Sequence, residues 1–211
     1  MNNLSPENAA AAARHVKGST IAWGGGSYFD LVFPERTTMT IRQYAFALAF
    51  TCRWRGQTFS SGREVMYSVC EHVVRGAELL MLEGYGNEHA LAFLGHESDE
   101  VPFGDTPGPA KQFWSPEFRE VVARCGEALD VRFGFHCPDP DLIKRWDIRM
   151  MVTEKRDLLI GFENDVLTTD GEHMADERYA PFLTPIIPFR HPADAAERFL
   201  TLYNVLTRGT A

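Results

Sequence analysis

The chain has 211 residues, 45% of them hydrophobic and 24% charged, which suits one domain with a sizeable core. Its formal net charge of −8 excludes a generally basic surface for nucleic-acid polymers or anionic membranes, but leaves room for a local Arg/Lys pocket that takes a small phosphorylated ligand. No apolar run approaches the roughly 20 residues of a membrane span, Met1 to Ala13 lacks a basic-then-apolar leader, and Cys52, Cys70, Cys125 and Cys137 show no CxxC spacing and read as reduced, buried thiols, so a cytoplasmic protein is expected.

Ser5-Pro6-Glu7 opens a helix that the alanine run Ala9 to Ala13 extends and Gly18 ends. Trp23 to Ser27 is a glycine-rich loop without the GK[ST] ending of a Walker phosphate loop. Tyr28 to Phe33 reads as a short extended piece stopped by Pro34. Thr40 to Arg53 is a largely buried helix, with Ile41, Tyr44, Ala45, Leu48, Ala49 and Cys52 at three- and four-residue steps. A polar loop at Gly56 to Gly62 precedes a helix over Val65 to Leu82, and Glu88 to about His96 is helical again. Pro102 to Pro109 is loop. Ser115-Pro116-Glu117 starts a helix to about Leu129, and Asp141 to about Phe162 is a long helical segment. Thr168 to Pro188 is irregular, and Pro192 to Leu206 is a terminal helix. The expected architecture is all-α, one domain with about seven helices. It divides into an N-terminal helix and loop (1–27), a core (28–165), and an irregular segment with a last helix on the same domain (166–211).

Three separated places carry metal-binding residue types on predicted helices: His72, the pair His96-Glu97, and Asp147. Alone, His72 among Val69, Val73 and Leu80 is an ordinary core histidine. His96 to Glu100 holds four ionisable residues between apolar flanks, and its acids repel one another unless a cation balances them. Asp147 lies among Leu142, Ile143, Trp146, Met150 and Met151, where a carboxylate needs a partner: a metal, or Arg145 or Arg149. Glu154 and Asp157 follow on the same segment, and one of them is expected to brace neighbouring helices through an arginine.

Five segments together resemble the HD-domain phosphohydrolase superfamily, in its branch of bacterial 5′-deoxynucleotidases and phage dATP triphosphohydrolases. They are Cys52-Arg53-Trp54-Arg55-Gly56, Tyr67-Ser68-Val69-Cys70-Glu71-His72, His96-Glu97-Ser98-Asp99-Glu100, Gly104 to Lys111, and Lys144-Arg145-Trp146-Asp147 with Thr153 to Leu159. The resemblance covers about Phe29 to Leu159. It implies a helical HD-type bundle with a divalent cation (Mn, Co, Zn, Fe or Mg) held by His72, His96, residue 97 and Asp147, with room for a second ion brought by substrate phosphates.

The resemblance further implies that Glu100 and Asp105 serve the chemistry and that Arg53, Trp54 and Lys111 bind substrate. The expected activity is hydrolysis of a phosphate ester or anhydride of a small-molecule deoxynucleotide, by a chain that pairs into a homodimer. The alternative is a degenerate relative that binds nucleotide or metal without turnover. Glu97 prompts it, because the family has Asp there. Its carboxylate reaches about 1.5 Å further, so the helix shifts, the metal changes, the ligand is lost, or Asp99 partly substitutes.

Overall fold

Six helices of nine residues or more carry the core in a computed structural model that describes residues 18–162, 165 and 169–208. The helix expected from Ser5 lies outside the described residues. α1 (Ile41–Ala49) starts at a reciprocal Thr40–Gln43 capping box. α2 (Val69–Leu82) starts where the Ser68 hydroxyl accepts from the Glu71 amide. α3 (Asn87–Gly95) leads into tight turns. α4 (Glu100–Phe103) and α5 (Gly108–Lys111) are single turns inside the segment expected to be loop. α6 (Pro116–Phe133) is capped by Ser115 and ended by Gly134 at φ 73°. α7 (Pro140–Leu158) has Asp139 as its cap and Pro140 in its first turn. α8 (Thr169–Met174) and α9 (Pro192–Arg208) complete the set. No helix among the described residues is long and apolar enough to cross a membrane.

The all-α expectation needs correction, because the protein is mostly helical with two small antiparallel hairpins. β1 (Thr20–Trp23) pairs with β2 (Ser27–Asp30) around the three glycines, so the presumed loop is a hairpin turn and the division at residue 27 runs through it. β3 (Thr58–Ser60) pairs with β4 (Arg63–Val65). Ser61 and Gly62 both take positive φ, which closes that hairpin in two residues. The helix read from Val65 therefore begins four residues later, and the helix read to Arg53 stops at Ala49.

α2 runs through the middle, packed on α1, α3 and α9. Tyr44, Leu48, Leu80, Phe93 and Phe199 are fully buried between these helices, each such side chain stabilising the fold by about 1.5–3 kcal/mol. At Gly76 the contact is so close that a Cβ would sit 2.0 Å from Phe93 Cε1. Phe93 thereby lies under both site histidines, with ring centroids 5.5 Å from His72 and 4.2 Å from His96. α7 crosses the same spot, where the Trp146 indole donates to the Gly76 carbonyl at 3.1 Å.

The stretch expected to be irregular, Thr168 to Pro188, holds the short helix α8 and a turn of 3-10 helix at Glu177–Tyr179, and its remainder is irregular but well anchored. Thr153 Oγ1 accepts from the Phe182 amide, Asp157 Oδ2 from Ile186 and Glu71 Oε1 from Phe189. Arg149 donates to the Ala180 carbonyl and lies over the Phe182 ring. All four cysteines are unpaired. Cys70 and Cys125 are buried, but Cys52 and Cys137 are exposed, so burial of all four was a wrong expectation.

Candidate metal centre

His72 from α2, His96 and Glu97 from the turn after α3, and Asp147 from α7 each bring one ligand atom to a common point, all within 4.8 Å of one another. His72 Nε2 lies 3.3 Å from His96 Nε2, 3.4 Å from Asp147 Oδ1 and 4.0 Å from Glu97 Oε1. His96 Nε2 is 3.6 Å from Glu97 Oε1 and 3.7 Å from Asp147 Oδ1. Four ligands about 2.1 Å from a tetrahedral ion lie about 3.4 Å apart. The separations that involve the histidines, 3.3 to 4.0 Å, lie near that value, while the set as a whole spreads to 4.8 Å. The residues could hold a divalent cation, and imidazole with carboxylate suits Zn, Fe, Mn or Co. Glu97 stays within the cage despite its extra methylene.

Both imidazoles are oriented from behind. His72 Nδ1 meets Glu154 Oε1 at 2.5 Å, and His96 Nδ1 meets the Phe93 carbonyl at 2.7 Å. With each Nδ1–H donated backwards, both Nε2 lone pairs face the same point. Two acceptors and two carboxylates at that range repel unless a cation or a proton sits between them. Burial and Arg53 push the His72 imidazolium down, yet Glu154 and Asp147 outweigh them and raise it to about 9. Burial pushes the Asp147 carboxyl up, and its contacts with His72 and His96 more than reverse that, to well below the usual range. Of its two oxygens, Oδ1 faces the histidines and Oδ2 accepts from Lys144 Nζ at 2.9 Å. Arg145 and Arg149 are thus not its partners.

Glu154 is the brace, fully buried, and it takes four donors. Besides His72, these are Arg53 Nε at 3.0 Å, Trp54 Nε1 at 3.0 Å and the Tyr67 hydroxyl at 3.1 Å. Arg53 also reaches Glu97 Oε1 through NH1 at 3.2 Å. Trp54, Arg55 and Gly56 form a left-handed turn, with φ of 54°, 56° and 70°, and the first two positions each cost about 1–2 kcal/mol for an L-residue.

A cavity of about 830 Å³ opens beside the cage, lined by Arg53, Trp54, Glu97, Glu100, Asp105, Lys111, Lys144, Asp147 and the Pro107–Pro109 turn, among others. That volume suits a nucleotide-sized ligand. Glu100 is buried, and its Oε2 has no hydrogen-bond partner among the described residues. Burial, then Glu97 and Asp105, push its carboxyl up to about 9, so it is protonated at neutral pH. Asp105 is likewise raised by burial. Lys111 Nζ stands 3.8 Å from Glu100 Oε1 and 3.7 Å from Asp99 Oδ2. Asp99 therefore faces Lys111 and does not belong to the cage, so it does not substitute for residue 97. Residues 96–99 are turns, and Glu100 opens α4 instead of continuing a helix from His96. A smaller cavity of about 430 Å³ adjoins, touching His96, Asp99, Lys111 and Trp114.

Sequence reasoning assembled the four cage residues and the cavity residues Glu100, Asp105, Arg53, Trp54 and Lys111. It did not assign Tyr67, Lys144 or His173 to the site. Lys144, three residues before Asp147 on one helix face, was findable from spacing; His173 had no such signal. One of Glu154 and Asp157 was expected to brace through an arginine; Glu154 does so, and Arg53 is that arginine. No family model matches the chain. It is 34% identical over 122 residues to an uncharacterized protein of Rhodobacter capsulatus, covering 57% of this chain and 61% of that protein. It is 25% identical over 131 residues to the uncharacterized protein YfdR of Escherichia coli K12, covering 62% and 66%. The chain thus spans less than two thirds of the length of these curated relatives.

Proposed function

We propose that the protein is a metal-dependent phosphohydrolase of deoxynucleotides, of the HD-domain kind that its motifs resemble. The observation that carries the reading is the convergence of His72, His96, Glu97 and Asp147, with both Nδ1 atoms tied back so that both Nε2 atoms face inward. A divalent cation held there supplies Lewis acidity, activation of water and compensation of phosphate charge.

The chain's own groups do the rest. Lys111 and Lys144 line the cavity next to the cage and set positive charge where phosphate oxygens gather charge. Arg53 holds Glu97 and Glu154 in place and borders the same space. Glu100 keeps its proton at neutral pH and is positioned to give it to the leaving oxygen. Burial holds that proton on Glu100, with Glu97 and then Asp105 adding to it. Trp54 and the Pro107–Pro109 turn supply apolar surface for a nucleoside.

One observation favours the second reading, a protein that binds metal and nucleotide without turnover. Glu97 Oε1 is shared between the cage and Arg53, which lowers the charge it offers a cation. Metal analysis of the purified chain, combined with phosphate release from deoxynucleoside mono- and triphosphates, tests both. Bound metal with phosphate release supports the enzyme. Bound metal and nucleotide without release supports the second reading. Absence of bound metal under saturating Mn, Co or Zn overturns both.

A further inference from the structure

One wall of the cavity is built by α7 and α8. Asp147 is a cage residue; Ile148 and Met151, on the same helix, line the cavity. Met151 lies one turn beyond Asp147, about 6 Å along the axis. A phosphate at the cage therefore places the remainder of its ester against this wall. Besides Lys144 and Asp147 of α7, the polar member of this wall is His173 of α8. Its Nδ1 is buried with no hydrogen-bond partner among the described residues. Its ring is held edge-on by Tyr179, with centroids 5.0 Å apart. The chain that follows is fixed to α7 by the bonds from Ala180, Phe182 and Ile186. Next to apolar Ile148 and Met151, a lone buried imidazole nitrogen is the arrangement of a recognition contact. Apolar walls bind a planar group, and one placed polar atom fixes its orientation. A buried polar atom left unmatched costs free energy that a ligand atom restores.

We infer that His173 is a specificity residue which hydrogen-bonds the sugar or base of the substrate, so that the C-terminal segment selects a nucleoside and the cage takes only its phosphate. This rests on the functional reading above. His173 is not one of the four cage residues and is a binding contact, not a participant in proton transfer.

The test uses the full chain loaded with cobalt, in a Glu100→Gln background that stops turnover. Binding of the four deoxynucleoside 5′-monophosphates and of inorganic phosphate is measured by calorimetry. His173→Phe keeps the ring against Tyr179 and removes the donor, and His173→Asn restores an amide nitrogen near the place of Nδ1. His173→Phe should weaken the best-bound nucleotide by about tenfold, the worth of one hydrogen bond, with phosphate affinity and cobalt content unchanged. His173→Asn should recover most of the loss. In the Glu100 chain, the same Phe substitution should raise KM and leave kcat within about threefold. Equal weakening toward nucleotide and phosphate, or no change toward either, overturns the inference while leaving the hydrolase reading intact. A parent chain that takes up no cobalt and binds no nucleotide overturns both.

Discussion

Glu154 Oε1 and His72 Nδ1 meet at 2.5 Å, where neither side chain touches solvent. An ionised carboxylate in that position both fixes the imidazole tautomer and raises the basicity of the nitrogen that faces the cage. Burial pushes the Glu154 carboxyl up, but Arg53 and His72 outweigh it and leave it below its ordinary value. Glu154→Gln keeps the shape and removes the charge. Metal affinity should fall about 10–100-fold, read by competition with a chelator, while the helical circular dichroism is retained. Unchanged affinity would show that His72 does not face an ion.

Asp147→Ala removes a cage carboxylate that lies 3.4 Å from His72 Nε2 and 3.7 Å from His96 Nε2. Metal content after dialysis should drop to background and hydrolysis with it, with the helices still formed. A variant that cleaved nucleotides at the parental rate would remove this residue from the site.

Glu97→Asp shortens the side chain by about one C–C bond, ~1.5 Å. The backbone here is set for Glu, whose Oε1 reaches both the cage and Arg53. Metal affinity should weaken by about tenfold, since ligand distances tolerate only a few tenths of an ångström. Stronger binding would mean that the turn after α3 moves freely and that the carboxylate length is not tuned to it.

Gly76→Ala would drive a methyl against the Phe93 ring, at 2.0 Å from Cε1. Overpacking of this kind costs about 1–3 kcal/mol, and Phe93 supports both imidazoles. A lowered Tm together with weaker metal binding is expected. A lowered Tm with unchanged metal affinity would show that the ring does not position the ligands.

The pH dependence has a definite sign. His72 in the metal-free protein is raised from 6.5 to about 9. Its contribution to stability is therefore complete below the unfolded value and is lost as pH rises through the folded one. Glu100, raised from 4.5 to about 9, keeps a proton in the folded state that the unfolded state has released, so it too lowers stability as pH rises across that window. The chelated protein should melt at falling temperature between about pH 6.5 and 9. Metal must displace the His72 proton, so affinity should rise about tenfold per pH unit below 9. The gap between loaded and chelated Tm should widen with pH. A constant gap would contradict the protonated cage.

The helical frame was readable because period and punctuation agree: Tyr44, Ala45, Leu48 and Ala49 share a face, and Ser115 caps the helix that follows it. The Ser68 and Asp139 caps were missed, so those helices were read from Val65 and Asp141. The cage was readable because its ligands sit in recognisable motifs. Hairpins were not. Thr58–Ser60 and Arg63–Val65 are three residues each, too short to show alternation. The Glu154 hub was only half readable, because four donors meet there from Arg53, Trp54, Tyr67 and His72, and that convergence is a tertiary fact. His173 was invisible for the same reason: nothing near it in sequence marks the cavity it lines.

Residues 54 to 56 coil with the screw sense that L-amino acids disfavour. The second oxygen of Glu154 keeps them there by gripping the indole of Trp54 and the guanidinium of Arg53. One carboxylate thus governs the handedness of a loop on one side and the pose of an imidazole on the other. Loss of that carboxylate would disturb both together.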